Sequence, residues 1–157
     1  MQFDELLINE LINCEKQIIH PPAALKLEKG HYRIGFELQS NDRKYFFKAF
    51  GRYNAVFNEN FSVGLIYFPQ HEKGSYEVIR CNGPHGEHIQ FPHHTYYHIH
   101  KASSEAINVG FKEDRMIEIT DKYTNYEEAL RFFVQYINVN AIDIERYFPP
   151  KQLSMFE

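Results

Sequence analysis

The sequence predicts an α+β fold, in which an antiparallel β-sheet of about six strands, ordered as a meander, packs with an N-terminal and a C-terminal helix. Three observations indicate this class. Runs of alternating apolar and polar residues occupy the middle of the chain, about residues 31–120, and apolar residues near both ends recur at helical spacing. The chain also contains 14 Phe, 11 Tyr and no Trp, and Phe and Tyr favour the half-buried surface of a sheet.

The size and composition of the chain limit its organisation. With 157 residues, 43% of them hydrophobic, we expect a single domain over residues 1–149 and a poorly ordered tail over residues 150–157. The formal charge of −4 argues against a large nucleic-acid footprint but is compatible with a small basic site. Cys14 and Cys81 are too few and too far apart for a disulfide framework or a cysteine zinc site.

The location of the protein is predicted from what the chain lacks. Its N-terminus, MQFDELLINELINCEK, is acidic and does not have the basic start and apolar core of a signal peptide. No apolar run approaches the roughly 20 residues that span a bilayer. We therefore expect a cytoplasmic protein without a membrane partner.

The first predicted element is a helix over residues 3–19. Asp4 near its start suits the positive end of the helix dipole, and Pro21 and Pro22 end the helix. The residues that recur at helical spacing are Phe3, Leu6, Leu7, Leu11, Cys14 and Ile18.

The central segment is predicted to contain antiparallel hairpins. SNDRK joins HYRIGFELQ to YFFKAF, and QHEKG joins NFSVGLIYFP to SYEVIRCNG. KED joins EAINVGF to RMIEIT in a final hairpin. A C-terminal helix follows, with Thr124 as its N-cap and Glu127 completing a capping box. Its apolar stripe consists of Leu130, Phe133, Val134 and Ile137.

Histidines are concentrated in the segment between the second and third hairpins. Six of the nine in the chain lie between residues 81 and 101, namely His85, His88, His93, His94, His98 and His100. On a strand, His98 and His100 point to one face. Ile99 and Lys101 point to the opposite face, and Ile99 is expected to enter the core. Side chains at i and i+2 lie about 6.5–7 Å apart. Two imidazoles so placed can converge on one metal ion or flank one phosphate.

Two loops approach this strand and carry the other histidines. Gly83, Pro84 and Gly86 are turn residues that can bring His85 or His88 back over the strand. In the second approach, Pro92 disfavours a ladder position, so His93 and His94 lie at a strand entry. Because these two are neighbours, at most one of them shares the face of His98.

One interpretation of the cluster is a divalent-metal site, structural or hydrolytic. Its ligands would be His85 or His88 together with His98 and His100. Imidazole ligands suit zinc or nickel better than magnesium or calcium. A neighbouring carboxylate, Glu87 or Glu105, would complete the shell or activate a water.

A second interpretation is acid–base cleavage of RNA. One imidazole deprotonates a ribose 2′-hydroxyl and another protonates the leaving oxygen, since an ordinary pKa of about 6.5 permits both roles. We rank His98 and His100 first and His85 second as catalytic residues, and Arg80 or Lys101 would stabilise the charge on the phosphate. A third, non-catalytic interpretation treats the aromatic, histidine-rich surface as a protein-binding face.

The segment RCNGPHGEH, followed by FPHH and HIH, resembles the TumE-type toxins of bacterial toxin–antitoxin pairs and a related family of uncharacterised bacterial proteins. The resemblance covers about residues 60–137, and Cys81-Asn82 stands where such toxins often have an aspartate. It implies a small cytoplasmic protein that acts on nucleic acid or translation, with RNA as the substrate and a cognate antitoxin as the partner. The matching positions are Arg80, Asn82, Pro84, His85, Phe91, Pro92, His93, His94, His98 and His100.

Overall fold

In the computed structural model, which describes residues 4–84, 96–103 and 116–150, eight strands form one antiparallel sheet. The spatial order of the strands is β1-β3-β4-β5-β6-β7-β8, and β2 also pairs with β3. The predicted α+β class is therefore confirmed, with more strands than the expected six. The elements are α1 (Glu5–Asn13), β1 (Lys16–His20), β2 (Lys26–Glu28), β3 (His31–Ser40), β4 (Phe46–Asn54), β5 (Phe61–Phe68), β6 (Tyr76–Asn82), β7 (His98–Lys101), β8 (Met116–Ile119), α2 (Tyr126–Tyr136) and α3 (Ala141–Tyr147).

The first two predicted hairpins, β3–β4 and β5–β6, are confirmed. Short polar side chains stabilise the β3–β4 turn and the turn between β4 and β5. Between β3 and β4, the Asp42 carboxylate accepts hydrogen bonds from the Ser40 hydroxyl and the Lys44 backbone N–H. Between β4 and β5, Asn54 Oδ1 accepts from the N–H groups of the two residues that follow Ala55. In the predicted final hairpin, RMIEIT contains β8, which pairs with β7, whereas EAINVGF lies outside the described residues.

The polarity of the side chains distinguishes the two faces of the sheet. Alternate residues of β3 to β7 point into a core that also receives α1 and α2, with α1 against β6 and α2 against β5 and β6. As predicted, Ile99 belongs to this core, at 3% exposure. The opposite face, which we call the second face, carries the intervening residues of the same strands. Core residues from the sheet include Phe36, Leu38, Phe47, Ala49, Val63, Leu65, Ile79 and Cys81.

The predicted N-terminal helix is too long. It begins as expected, since Asp4 Oδ1 caps it by accepting from the Leu7 N–H at 2.8 Å, but it ends at Asn13. Cys14 has an extended backbone, and residues 16–20 form β1 instead, antiparallel to β3. The apolar spacing of Cys14 and Ile18 fits a helix, but β3 offers an unpaired edge whose hydrogen bonds a strand can satisfy.

The C-terminal helix starts one residue later than predicted. Its N-cap is Asn125, whose side chain accepts from the Glu128 N–H at 2.8 Å, and Glu128 accepts in turn from the backbone and hydroxyl of Thr124. The capping box is thus displaced by one residue from Thr124 and Glu127. The predicted apolar stripe is confirmed, and a short helix, α3, follows where none was predicted.

Residues 151–157 of the predicted tail lie outside the described residues. Among the helices that the structure describes, none is long and apolar enough to cross a membrane.

Lys16 joins the helices to the edge of the sheet. Its side chain is 0% exposed, and its ammonium donates to the carbonyl oxygens of Ile12 at 2.9 Å, Cys14 at 2.9 Å and Ile137 at 2.6 Å. These carbonyls belong to the C-terminal ends of α1 and α2, where positive charge is favourable. The same ammonium lies 5.1 Å from the centroid of the Phe47 ring. One cation therefore satisfies the ends of two helices that are distant in sequence.

Replacing this lysine should destabilise the fold. We expect Lys16→Met to lower the free energy of unfolding by about 3 kcal/mol, because the three carbonyls lose a buried charged donor. The exposed Lys26 in β2 provides the matched control, and Lys26→Met should stay within about 0.5 kcal/mol of the wild type. Urea unfolding at pH 7 measures both. Equal midpoints for the two variants would contradict the role of Lys16.

The same lysine should make stability depend on pH. Burial lowers the pKa of Lys16 from 10.5 to about 8. Between pH 8 and 10.5 the unfolded chain therefore holds a proton that the folded chain has released, so the contribution of Lys16 to stability rises with pH, by up to about 3 kcal/mol. Urea unfolding across this window should show the wild type gaining stability relative to Lys16→Met. Taking this difference cancels the titration of the tyrosines, and a constant difference would refute the prediction.

Candidate functional site

Three of the residues predicted for the site lie together on the second face. His98 and His100 are on β7 and Arg80 is on β6, where the register places Arg80 opposite His100 and Asn82 opposite His98. Directly opposite residues have Cβ atoms about 4.5–5.5 Å apart. Lys101 is not part of this group, because it lies opposite the core residue Ile79 on the other face, with its ammonium 5.1 Å from the centroid of the Tyr136 ring. The other predicted residues, His85, Glu87, His88, His93, His94 and Glu105, lie outside the described residues.

A row of polar side chains crosses the second face at the level of His98. We call it the polar row, and it takes one residue from each of five neighbouring strands. Consecutive members are paired in the sheet register, so each side chain is adjacent to the next. From β3 to β7 the members are Arg33, Arg52, Ser62, Asn82 and His98.

Hydrogen bonds fix the orientation of the His98 ring. The Ser62 hydroxyl donates to Asn82 Oδ1 at 2.6 Å, which leaves the Asn82 amide nitrogen to face His98 Nε2 at 3.2 Å. His98 Nδ1 lies 2.7 Å from the backbone oxygen of Tyr96. A carbonyl oxygen can only accept, so the proton of the neutral ring is on Nδ1 and Nε2 accepts from Asn82. Both ring nitrogens of His98 are thus engaged within the protein.

Tyr123 supports the same residues from the core side. Its hydroxyl lies 2.9 Å from the backbone oxygen of Asn82 and 2.8 Å from that of His98, and it donates its one proton to either. The side chain is 1% exposed, and this burial raises the pKa of Tyr123, which keeps the hydroxyl protonated as a donor. Tyr123 therefore ties the ends of β6 and β7 together beneath the polar row.

Close backbone packing at Gly83 also shapes this end of the sheet. Its N–H donates to the Phe61 carbonyl at 3.0 Å, which continues the β6 pairing by one residue. A side chain at Gly83 would collide with the carbonyl oxygen of Glu59 and with the Phe61 ring. The glycine predicted as a turn residue is required here because two backbone segments approach each other closely.

The two histidines of β7 lie edge to face. Their ring centroids are 4.8 Å apart with an interplanar angle of 69°, and the exposed fractions are 0% for His98 and 8% for His100. A metal ion at His98 would have to displace Asn82 or the Tyr96 carbonyl. Over the three described ranges, no group of three or more His, Cys, Asp or Glu side chains is arranged to hold a metal. The zinc or nickel hypothesis therefore depends on His85 and His88, outside those ranges.

Cys81 takes no part in this chemistry. It lies between Arg80 and Asn82 in sequence but points to the core, where it is 0% exposed. Burial raises the pKa of its thiol to about 12, so the thiolate needed for a nucleophile or metal ligand is disfavoured.

Beside the polar row, the second face contains a concavity of about 380 Å³. Two guanidinium groups, from Arg52 on β4 and Arg80 on β6, line it. Arg80 is 3.6 Å from a carboxylate oxygen of Glu77, whereas Arg52 has no carboxylate within ion-pair distance in the part of the chain that the structure describes. The lining residues are His31, Arg52, Asn60, Phe61, Ser62, Arg80 and Asn82. With two cations and several hydrogen-bonding side chains, this concavity favours an anionic ligand.

Strands β3, β4 and β5 contribute residues to this site that were not predicted from the sequence. Arg33, Arg52 and Ser62 occupy positions that alternate with core residues, so the period of two assigns them to the second face. That period cannot show which residues are neighbours across strands. The order and register of the strands bring these three side chains next to Asn82.

No protein-family model, curated protein or solved structure matches this chain. The resemblance to TumE-type toxins stays a prediction from the residues that carry it.

The hydrogen bonds of His98 predict its tautomer. We expect the neutral ring to carry its proton on Nδ1, because Tyr96 supplies only an acceptor there. Long-range ¹H–¹⁵N correlation spectra of protein labelled at histidine nitrogens, recorded at alkaline pH, identify the protonated nitrogen. The exposed His71 provides a reference ring. A proton on Nε2 of His98 would overturn the assigned direction of the Ser62–Asn82–His98 chain.

Proposed function

We propose that the protein is a small cytoplasmic, toxin-like ribonuclease that binds a phosphodiester at the concavity and uses His100 for proton transfer. One observation carries this proposal. Arg52 and Arg80 line the same concavity as Asn82, and two histidines lie directly across from Arg80 and Asn82 in the sheet register. Cations that attract a phosphate thus adjoin imidazoles that can move a proton.

The charges of the site suit a phosphate group. A guanidinium presents a planar fork of donors that matches two phosphate oxygens. The concavity has such forks on two sides, and Arg33 continues the polar row beyond Arg52. Because the net charge of the chain is −4, attraction of a polyanion must be local to this face. A short contact with a single phosphodiester fits these charges better than an extended nucleic-acid footprint.

The two histidines have different roles in this proposal. His98 is held at both ring nitrogens, so it acts as a positioning residue that fixes Asn82 at the edge of the concavity. His100, opposite Arg80 and slightly more exposed, acts as the base. It takes the proton of a ribose 2′-hydroxyl as that oxygen attacks phosphorus. The P–O5′ bond breaks, which yields a 2′,3′-cyclic phosphate and a 5′-hydroxyl.

The leaving 5′ oxygen needs a proton from a second group. His85 is our sequence-based candidate for this acid, and it lies outside the described residues. Arg80 would stabilise the charge that develops on the phosphate. The resemblance to TumE-type toxins supports the further expectation that a cognate antitoxin protein holds the activity in check.

Cleavage of RNA should depend on His100. We expect the purified protein to cut mixed RNAs, and His100→Ala to cut about 10²- to 10⁴-fold more slowly because the base is lost. His71→Ala, at an exposed turn, is the matched control and should keep the wild-type rate. Gel electrophoresis gives the rates, and mass spectrometry of the products identifies the 2′,3′-cyclic phosphate. His100→Gln keeps a polar side chain of similar size but cannot act as the base, so it should also lose activity. Thermal unfolding of each variant shows whether it is still folded.

Two further arms distinguish this proposal from the other interpretations. Arg52→Ala should weaken RNA binding, whereas Arg43→Ala, in the exposed β3–β4 turn, should not. RNA cleavage should persist in the presence of a metal chelator. If the chelator abolishes cleavage and added zinc or nickel restores it, the metal-dependent hydrolase is supported instead. The ribonuclease proposal would be contradicted if the folded wild type left RNA intact, or if His100→Ala cut RNA as fast as the wild type. Binding without cleavage would favour the non-catalytic interaction module.

A further inference from the structure

An aromatic ring lies on the second face beside the concavity, in a row between two glycines. Gly35, Phe50 and Gly64 are directly opposite one another on β3, β4 and β5, and the row continues to Arg80 and His100. Phe50 therefore shares its row with the proposed base and precedes Arg52 by two residues on the same strand. The ring is half-buried and belongs to neither the core nor the concavity lining.

The glycine on β5 allows the ring to lie on the backbone. A Cβ atom at Gly64 would come within 2.5 Å and 2.6 Å of two carbons of the Phe50 ring. On the other side Gly35 is exposed, and among the described residues only a backbone oxygen, of Ala49 at 3.8 Å, comes within 4 Å of where its Cβ would be. Glycine inside a strand weakens it and often marks a place where a ligand approaches closely.

The position of the ring relative to the cations matches a nucleotide. Phe50 is about 6.5–7 Å from Arg52 along β4, and it is two strand spacings, about 9–10 Å, from Arg80. A base on the ring and a phosphate between the two arginines would thus belong to the same or adjacent nucleotides. Aromatic side chains bind nucleobases through their π faces, and every base has such a face.

We propose that Phe50 is a stacking platform for an unpaired nucleobase and that the ligand of this site is single-stranded RNA. This inference rests on the ribonuclease function proposed above and names its substrate class. In a duplex both faces of each base are covered by neighbouring bases, so the ring cannot reach one without unstacking it. Stacking depends little on which base is present. The site would therefore discriminate single strands from duplexes more strongly than one base sequence from another.

Binding of uncleavable oligonucleotides tests the inference separately from catalysis. A fluorescent 2′-O-methyl RNA of ten nucleotides should bind the full-length protein more tightly than the same strand annealed to its complement. Phe50→Leu should weaken binding of the single strand by roughly 5- to 100-fold, the range expected for one stacked base. Phe50→Tyr keeps the ring and should retain the affinity. An abasic strand with the same backbone should bind wild type and Phe50→Leu equally.

A second aromatic residue on the same face provides the matched control. Phe68 on β5 is also half-buried, packs with Phe46 at a centroid distance of 6.0 Å, and does not line the concavity. Phe68→Leu should therefore leave RNA affinity unchanged. Thermal unfolding of both leucine variants shows whether each is folded.

The outcomes separate this inference from the ribonuclease proposal. RNA cleavage by the wild type with unchanged single-strand affinity in Phe50→Leu would overturn the stacking role alone. Ring-dependent binding of single strands without cleavage of natural RNA would support stacking and overturn the ribonuclease. Equal affinity for single strand and duplex, or no RNA binding, would overturn the inference and leave this face for a protein partner.

Discussion

Burial of one face of a continuous antiparallel sheet is the constraint on which the rest of this structure depends. Side chains alternate across a strand, so a slip of one residue in any central strand would expose core residues such as Phe47 and bury charged residues such as Arg52. The hydrophobic free energy of the core therefore sets the register of the second face as well. The residues of the polar row are adjacent because the apolar residues that alternate with them pack into the core.

A buried polar network then converts that register into a defined geometry. Ser62, Asn82 and His98 satisfy one another in a place where an unpaired polar atom would be costly, and Tyr123 holds the backbone beneath them. The chain of bonds has one direction, because it ends on a carbonyl that can only accept. His98 is consequently a fixed element of the site, and the proposed mechanism assigns proton transfer to His100.

Local sequence patterns failed at two places where they allow more than one structure. Ile18 continues the helical spacing of the apolar residues that precede it, yet residues 16–20 form a strand. They do so because β3 offers hydrogen bonds and Lys16 reaches the carbonyls at two helix ends. At the start of α2, Thr124 and Asn125 are both acceptable N-caps, and a shift of one residue is decided by which carboxylate reaches back, here Glu128. The strand at residues 16–20 is thus decided by a tertiary contact, whereas the cap of α2 is decided within the first turn of the helix.

The sequence by itself determined the α+β class, the two central hairpins, the face shared by His98 and His100, and the burial of Ile99, because each depends on periodicity or on turns that act over a few residues. Only the tertiary structure decided that Arg33, Arg52 and Ser62 are neighbours of Asn82, that Phe50 lies on Gly64, and which nitrogen of His98 carries the proton. These features depend on the register in which neighbouring strands pair and on hydrogen bonds that form across the assembled sheet. The turn patterns predict that β3 pairs with β4 and β5 with β6, but no local pattern fixes the register across all five strands. The site therefore becomes recognisable only once the sheet is assembled.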